Sequence, residues 1–124
     1  MESQPNTETE SPSDTTWNSE WMRGLLPLFI LVSLRDGPSY GYAIISKLSD
    51  HGISGVKGGT LYPLLSRQQE AGLVTTEWKP GDGGPGRKYF ALTPSGSAEV
   101  ERLRAEWTRF IRTAEKFIIN DGKL

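Results

Sequence analysis

Apolar positions along residues 58–74, GGTLYPLLSRQQEAGLV, repeat with the period of an α-helix. The apolar face carries Leu61, Leu64 and Leu65. The opposite face carries Tyr62, Pro63, Ser66, Arg67 and Glu70. Because proline is tolerated in the first turn of a helix, Pro63 predicts a start near Gly59 or Thr60, with Thr60 available as the cap. Gly72 predicts the end of this helix.

Two apolar stretches that precede this helix predict two more helices. The run LLPLFILVSLR predicts a helix over residues 25–35 with Pro27 in its first turn, so that residues 17–23 form a separate turn or a kinked extension. Ser39 is expected to cap a second helix of about ten residues, YGYAIISKLSD. The buried face of this second helix is expected to carry Tyr42, Ile45 and Leu48.

The period of the apolar pattern then changes from 3.6 to 2. Residues 73–79 and 87–93 predict two strands, because they alternate and are rich in β-forming side chains. The glycine-rich stretch 80–86, PGDGGPG, predicts the hairpin loop between them. Thr93 before a proline predicts the cap of a long helix over residues 94–119.

Apolar residues along this last helix step by three and four positions in alternation, which is the pattern of a coiled-coil seam. The seam consists of Val100, Leu103, Trp107, Phe110, Ala114 and Phe117. A helix packed on its own domain would give the same pattern. The length of the seam and its large aromatic residues favour a dimer interface.

Composition divides the chain and excludes several classes of protein. Residues 1–16 are polar and acidic and are expected to be disordered, residues 17–93 to form one domain, and residues 94–124 to form a dimerisation helix. With no cysteine and a single histidine, His51, the chain predicts no metal site and no cofactor. The sequence shows no cluster of an acid, a base and a nucleophile, so an enzyme is not expected. No apolar run is long enough for a membrane span and the start is unlike a secretory signal, so a soluble cytoplasmic protein is expected.

The formal net charge of −1 is unevenly distributed along the chain. Residues 1–20 contain five acidic residues and no lysine or arginine. Residues 21–124 contain 14 basic and 10 acidic residues, a net charge of +4. A mildly basic folded part is compatible with nucleic-acid binding, but an excess of this size is also ordinary for a protein surface.

The order helix, helix, helix, hairpin, long helix predicts an α+β fold, a winged helix-turn-helix with an appended C-terminal dimerisation helix. In this motif one helix enters the DNA major groove and the wing contacts the phosphate backbone or the minor groove. The candidate DNA-binding residues are Lys57, Thr60, Tyr62, Ser66, Arg67, Lys79, Arg87 and Lys88. There are alternatives to DNA contact. Tyr62 could pack against the hairpin, and the basic residues could be ordinary solvated surface charges.

Several motifs at their observed spacing resemble the PadR family of bacterial transcriptional regulators. They are RGLLPLFILVSLRDGPSYGYAI, GTLYPLLSR, EAGLV and GGPGRKYFALTPSG. The resemblance runs from about Arg23 to Gly96, and Trp107 continues it into the last helix. The family usually has leucine where this chain has Gln68, which falls in the apolar stripe, so its amide must find a partner or lie at the edge of the core.

The resemblance implies a homodimeric repressor that binds an inverted-repeat operator in double-stranded DNA and is released by an effector. Some short members of the family hold flat aromatic molecules between two tryptophans at the centre of the dimer, and Trp107 occupies the corresponding position. By the same resemblance, the effector-binding residues are Met22, Leu25, Leu26, Trp107 and Ile111. The alternative is that Trp107 packs in the dimer interface without binding a ligand.

A winged fold does not by itself establish DNA recognition. The second candidate function is therefore a module for protein–protein or RNA interaction without operator specificity. Sequence-dependent binding to DNA upstream of the protein's own gene distinguishes the two functions.

Overall fold

The computed structural model describes residues 17–81 and 84–120. Within them, four helices and three strands follow one another in the order α1 (Ser19–Ser33), β1 (Ser39–Tyr40), α2 (Gly41–Asp50), α3 (Gly58–Glu70), β2 (Val74–Gly81), β3 (Gly84–Leu92) and α4 (Pro94–Asn120). This order confirms the α+β winged helix-turn-helix with its C-terminal helix. The expected disorder of residues 1–16 lies outside the described residues.

The first helix is longer than expected. It begins at Ser19 because the side chain of Asn18 accepts hydrogen bonds from the backbone N–H groups of Glu20 and Trp21, at 2.9 and 3.1 Å. This cap satisfies two N–H groups that have no partner within the helix. The predicted start near residue 25 is therefore wrong, and Pro27 lies in the interior of α1.

Strand β1 was not expected from the sequence. Ser39 and Tyr40 pair with Phe90 and Tyr89 of β3, which gives an antiparallel sheet in the order β1-β3-β2. The predicted cap at Ser39 is wrong because its backbone belongs to the sheet. Helix α2 instead begins at Gly41, after Tyr40, and has no side-chain cap.

The start of α2 also changes which of its residues face inward. Gly41, Ile44 and Leu48 are buried, whereas Tyr42 is 73% exposed. Placing Tyr42 on the buried face is therefore wrong: the helix packs with Gly41 rather than Tyr42 inward, although Leu48 is buried as expected.

The apolar stripe of α3 is confirmed as part of the core. Leu61 and Leu65 are completely buried, and Leu64 packs against them from the edge. The other fully buried large side chains come from the three other helices and from the residue directly after α1: Ile30, Leu34, Ile44 and Val100. Val100 therefore belongs to the core of its own domain, although it was expected to be the first residue of the dimer interface.

The end of α3 and the start of α4 are joined by two caps. Gly72 has a φ of +80°, and Leu73 N–H donates to Gln68 O at 2.9 Å, which together form a Schellman motif. The hydroxyl of Thr93 donates to Gly72 O at 2.6 Å and accepts from Gly96 N–H at 3.0 Å. The expected roles of Gly72 and Thr93 are confirmed.

The hairpin is longer than expected. Strands β2 and β3 pair as far as Gly81 and Gly84, so the predicted loop over residues 80–86 is too long, and residues 82–83 lie outside the described residues. The ladder is irregular between Lys79 and Gly81, at the position of Pro80, which has no N–H to donate.

Candidate nucleic-acid interface

The outward face of α3 is polar and exposed as predicted. All five side chains expected on this face are exposed: Tyr62, Pro63, Ser66, Arg67 and Glu70. Thr60 at the start of the helix is exposed as well. The face can therefore present hydroxyl groups and a guanidinium to a ligand that lies along α3.

The first turn of α3 is capped differently from the prediction. Lys57, not Thr60, occupies the N-cap position, and its side chain makes no capping hydrogen bond. The N–H groups of Thr60 and Leu61 both donate to Lys57 O at 2.9 Å. An exposed lysine at the positive end of a helix dipole creates a positive potential that suits a phosphate group.

Tyr62 both packs on the protein and faces solvent. Its ring lies 6.3 Å from the ring of Phe90 in β3, and its hydroxyl lies against Gly41, where an added Cβ would overlap it. Packing on the hairpin, one of the two alternatives for Tyr62, is therefore observed. The residue is still 48% exposed, so an edge of the ring remains accessible beside α3.

The three candidate basic residues of the wing lie on two faces of the hairpin. Lys88 is paired with Trp78, and its ammonium lies 5.7 Å from the ring of Phe90. Since side chains alternate along a strand, Arg87 and Lys79 point to the other face. Arg87 stacks over Tyr40 at 4.5 Å, and Lys79 lies 4.8 Å from Tyr89. These cation–π contacts hold the cations over aromatic rings while leaving their N–H donors for other partners.

A groove of about 590 Å³ lies between α2, α3 and the hairpin. Its lining includes exposed aromatic and basic residues, namely Tyr42, Tyr62, Trp78, Arg87 and Lys88. The sequence interpretation missed Tyr42 and Trp78, which are 73% and 68% exposed. Aromatic rings interleaved with cations are typical of nucleic-acid surfaces, and this combination is the signal that could have identified them.

A second cavity, of about 700 Å³, lies on the other side of α3. Trp17, Met22 and Leu26 form part of its wall, together with Thr60 and Arg67 from the exposed face of α3. The exposed face of α3 thus lies between two concave surfaces, one formed with the wing and one formed with the start of α1.

The proposed effector residues do not come together in one chain. Trp107 lines a third cavity of about 560 Å³ with Phe29 and Val32, whereas Met22 and Leu26 line the cavity beside α3. Leu25 and Ile111 line neither of these two cavities.

An ion pair lies at the wall of the Trp107 cavity. Lys47 donates to the carboxylate of Asp36 at 2.8 Å. This hydrogen bond and the positive charge of Lys47 lower the pKa of Asp36 below its ordinary value. The wall of the cavity therefore combines apolar rings with fixed charges.

The second half of α4 exposes apolar side chains. Phe110 and Phe117 are 62% and 73% exposed, and Leu103 and Ala114 are half-buried. Ion pairs flank these apolar residues: Arg102 bonds Glu99 at 2.8 Å and Glu106 at 3.3 Å. The hydrogen bond from Arg102 lowers the pKa of Glu99 below its ordinary value.

Residues 17–81 and 84–120 contain no helix long and apolar enough to cross a membrane. In the same ranges, no three histidine or acidic side chains are grouped as metal ligands would be.

The chain is similar to known regulators in sequence and in structure. The family model described as "Transcriptional regulator PadR-like family" matches residues 30–102. The transcriptional regulator Rv3488 of Mycobacterium tuberculosis is 39% identical over 85 residues, which cover 68% of this chain and 78% of that protein.

Solved structures give the same result. A PadR family transcriptional regulator from Eggerthella lenta is 36% identical, with a TM-score of 0.72, and the match covers 81% of this chain and 87% of that one. A PadR-like regulator from Bacillus cereus is 31% identical, with a TM-score of 0.72 and coverage of 80% and 96%. This chain therefore belongs to the PadR-like family of transcriptional regulators.

Proposed function

We propose that this protein is a homodimeric repressor that binds an inverted-repeat operator through α3 and the wing. The observation that carries the proposal is the exposed polar face of α3, from which Tyr62 lines a groove together with aromatic and basic residues of the hairpin. A helix of this diameter fits the major groove of B-DNA, which is about 12 Å wide.

The side chains divide into two roles on DNA. Thr60, Ser66 and Arg67 lie on the exposed face of α3 and contact base edges, where arginine can bind guanine through two hydrogen bonds. Lys57 and Lys88 contact phosphate groups and fix the position of the helix on the duplex. Tyr62 contacts the DNA with its exposed edge, while its inner edge rests on Phe90.

The dimer forms through the second half of α4. Phe117, Ile118 and Ile119 are consecutive and exposed, so apolar side chains point to more than one side of the helix end. Two copies bury these residues against each other, with Leu103, Trp107, Phe110 and Ala114 continuing the contact. Val100 is excluded from the interface because it has no exposed surface.

The effector is a planar aromatic molecule that stacks on Trp107. The indole is 36% exposed beside Phe29 and Val32, so a flat ring can bury apolar surface against all three. Met22, Leu25 and Ile111 contribute to the same site only from the partner chain, whereas Leu26 is excluded because it is buried in the core. A ligand that prefers a non-binding spacing of the two α3 helices releases the operator. Planar dyes should therefore dissociate the DNA complex of the natural protein but not that of Trp107→Leu.

Binding assays separate this proposal from an RNA or protein-interaction module. Fluorescence anisotropy is measured with the DNA upstream of the gene, with a shuffled duplex of equal composition and with duplex RNA. The proposal requires the upstream DNA to bind about 10³-fold or more tightly than the shuffled duplex. Equal binding to all three would favour a module without operator specificity.

A further inference from the structure

The position of Trp17 fixes where the N-terminal segment, residues 1–16, joins the folded domain. The indole Nε1 of Trp17 donates to the carbonyl of Gly52 at 2.9 Å, in the turn between α2 and α3. The same residue lines the cavity shared with Thr60 and Arg67 of α3. The N-terminal segment is therefore attached beside the helix that we assign to DNA recognition.

The N-terminal segment and the surface beside its attachment carry opposite charges. Residues 1–16 contain Glu2, Glu8, Glu10 and Asp14, and no lysine, arginine or histidine. Arg23 and Arg67 are exposed and line the same cavity as Trp17. Lys57 is exposed at the N-cap of α3 and directly follows Val56, which also lines this cavity. We call these three cations the cationic flank. Within residues 17–81 and 84–120, none of these three cations forms an ion pair.

The segment is long enough to cover the cationic flank. Sixteen residues span at most about 55 Å when fully extended, which exceeds the length of a 13-residue helix of about 20 Å. Because the segment is covalently attached, its carboxylates are present near α3 at an effective concentration on the order of millimolar. Weak ion pairs can therefore compete with DNA for the side chains of α3.

We propose that the acidic N-terminal segment binds the cationic flank formed by Arg23, Lys57 and Arg67, and that DNA must displace it. This inference rests on the proposed function. The segment acts as a tethered competitor that lowers the affinity for operator and random DNA alike. The competition reduces occupancy of random DNA, where binding depends on phosphate contacts alone.

The first test neutralises the segment in the full-length chain. The variant carries Glu2→Gln, Glu8→Gln, Glu10→Gln and Asp14→Asn, and its affinity for a random duplex is measured by fluorescence anisotropy. We expect binding about tenfold tighter than that of the natural chain at low salt, with a difference that shrinks as the salt concentration rises. Unchanged affinity would overturn the proposal.

A matched control changes the net charge by the same amount at a distant site. It carries Gln at four positions on α4: Glu99, Glu101, Glu106 and Glu115. We expect its affinity to change by less than about twofold, because charges beyond a Debye length of DNA are screened. Equal tightening in both variants would show a net-charge effect and overturn the proposal.

The second test does not depend on DNA. Since the chain has no cysteine, Ser11→Cys provides a single attachment site for a nitroxide label. We expect the label to broaden the NMR amide signals of Lys57 and Arg67 at low salt, and the signals to recover at high salt.

The control for the second test carries the same label on the charge-neutralised segment, where we expect much weaker broadening at low salt. Equal broadening in the two labelled chains would show that attachment alone brings the segment near α3, and would overturn the inference. Absence of broadening in the natural segment overturns it as well. Salt-dependent broadening without DNA binding by any variant overturns only the proposed function.

Discussion

The side-chain amide of Gln68 in α3 donates a hydrogen bond to the carbonyl of Pro27 in α1 at 3.0 Å. Gln68 is buried, and its other amide atom, Oε1, has no hydrogen-bond partner within residues 17–81 and 84–120. One polar contact thus joins the two helices while one buried oxygen is left unpaired. A buried acceptor without a donor costs about 1–3 kcal/mol, which is at least as much as one hydrogen bond contributes.

Replacing Gln68 with leucine should therefore stabilise the protein. Leucine has a similar volume, continues the stripe of Leu61 and Leu65, and removes the unpaired oxygen together with the bond to Pro27. We expect the free energy of unfolding to rise by about 1 kcal/mol, measured by urea denaturation. Gln69→Leu, at an exposed position, is the control and should change it by less than about 0.5 kcal/mol. A loss of stability in Gln68→Leu would show that the bond to Pro27 outweighs the unpaired oxygen.

Gly41 holds Tyr62 in place by having no side chain. A Cβ at Gly41 would overlap the hydroxyl and the ring of Tyr62, so Gly41→Ala should push the ring away from Phe90. Because the displaced group is the end of a side chain, we expect a modest loss of stability, about 1 kcal/mol, and a larger loss of discrimination between operator and random DNA.

The control for this prediction is Gly24→Ala. An added Cβ at Gly24 in α1 meets nothing within 4 Å, so DNA binding should not change. In a Tyr62→Ala background, Gly41→Ala should have little further effect on discrimination, because the two residues act through the same contact. Additive effects in the double variant would contradict the coupling of Gly41 and Tyr62.

Lys88 should contribute one phosphate contact in each half-site. Lys88→Ala should reduce the slope of log K against log salt by about one unit per half-site, measured by anisotropy with operator DNA. Lys116→Ala removes the same charge from α4 and should leave the slope unchanged. An equal slope for the natural protein and Lys88→Ala would exclude Lys88 from the interface.

Replacing both Phe110 and Phe117 with glutamate should give monomers. Each glutamate would bring an unpaired charge into an apolar interface, which is strongly unfavourable. Sedimentation at micromolar concentration measures the outcome. The control pair, Ala98→Glu and Ala105→Glu, adds the same charge at exposed positions of α4 away from the apolar stripe and should remain dimeric. A dimeric Phe110 and Phe117 variant would show that α4 is not the interface.

Sequence patterns predicted those parts of the fold that depend on residues close together in the chain. The leucine stripe of α3, the glycine at its end and the Thr93 cap depend on contacts between neighbouring residues, and all are confirmed. The predicted start of α1 was wrong because the preference of proline for the first turn of a helix was given more weight at Pro27 than the capping side chain of Asn18. Strand β1 was missed because Ser39 and Tyr40 pair with β3, about fifty residues away in sequence.

The sequence predicted which residues of α3 are exposed, but it did not predict how the residues of the candidate site are arranged. The polar face of α3 follows from helical spacing alone. The separation of Lys88 from Arg87 depends on strand register, and the exposure of Tyr42 depends on where α2 begins. The cavity beside Trp17 combines α1, α3 and the turn between α2 and α3, which no local pattern in the sequence brings together.

Hydroxyl-radical footprinting of the DNA upstream of the gene tests the central claim, operator recognition by a dimer, most directly. Two α3 helices related by a two-fold axis should protect two half-sites of an inverted repeat, with centres about 34 Å or a multiple of it apart. Tyr62→Ala should weaken this protection more than it weakens binding to random DNA. Uniform weak protection along the DNA, with no paired half-sites and no change in Tyr62→Ala, would contradict operator recognition.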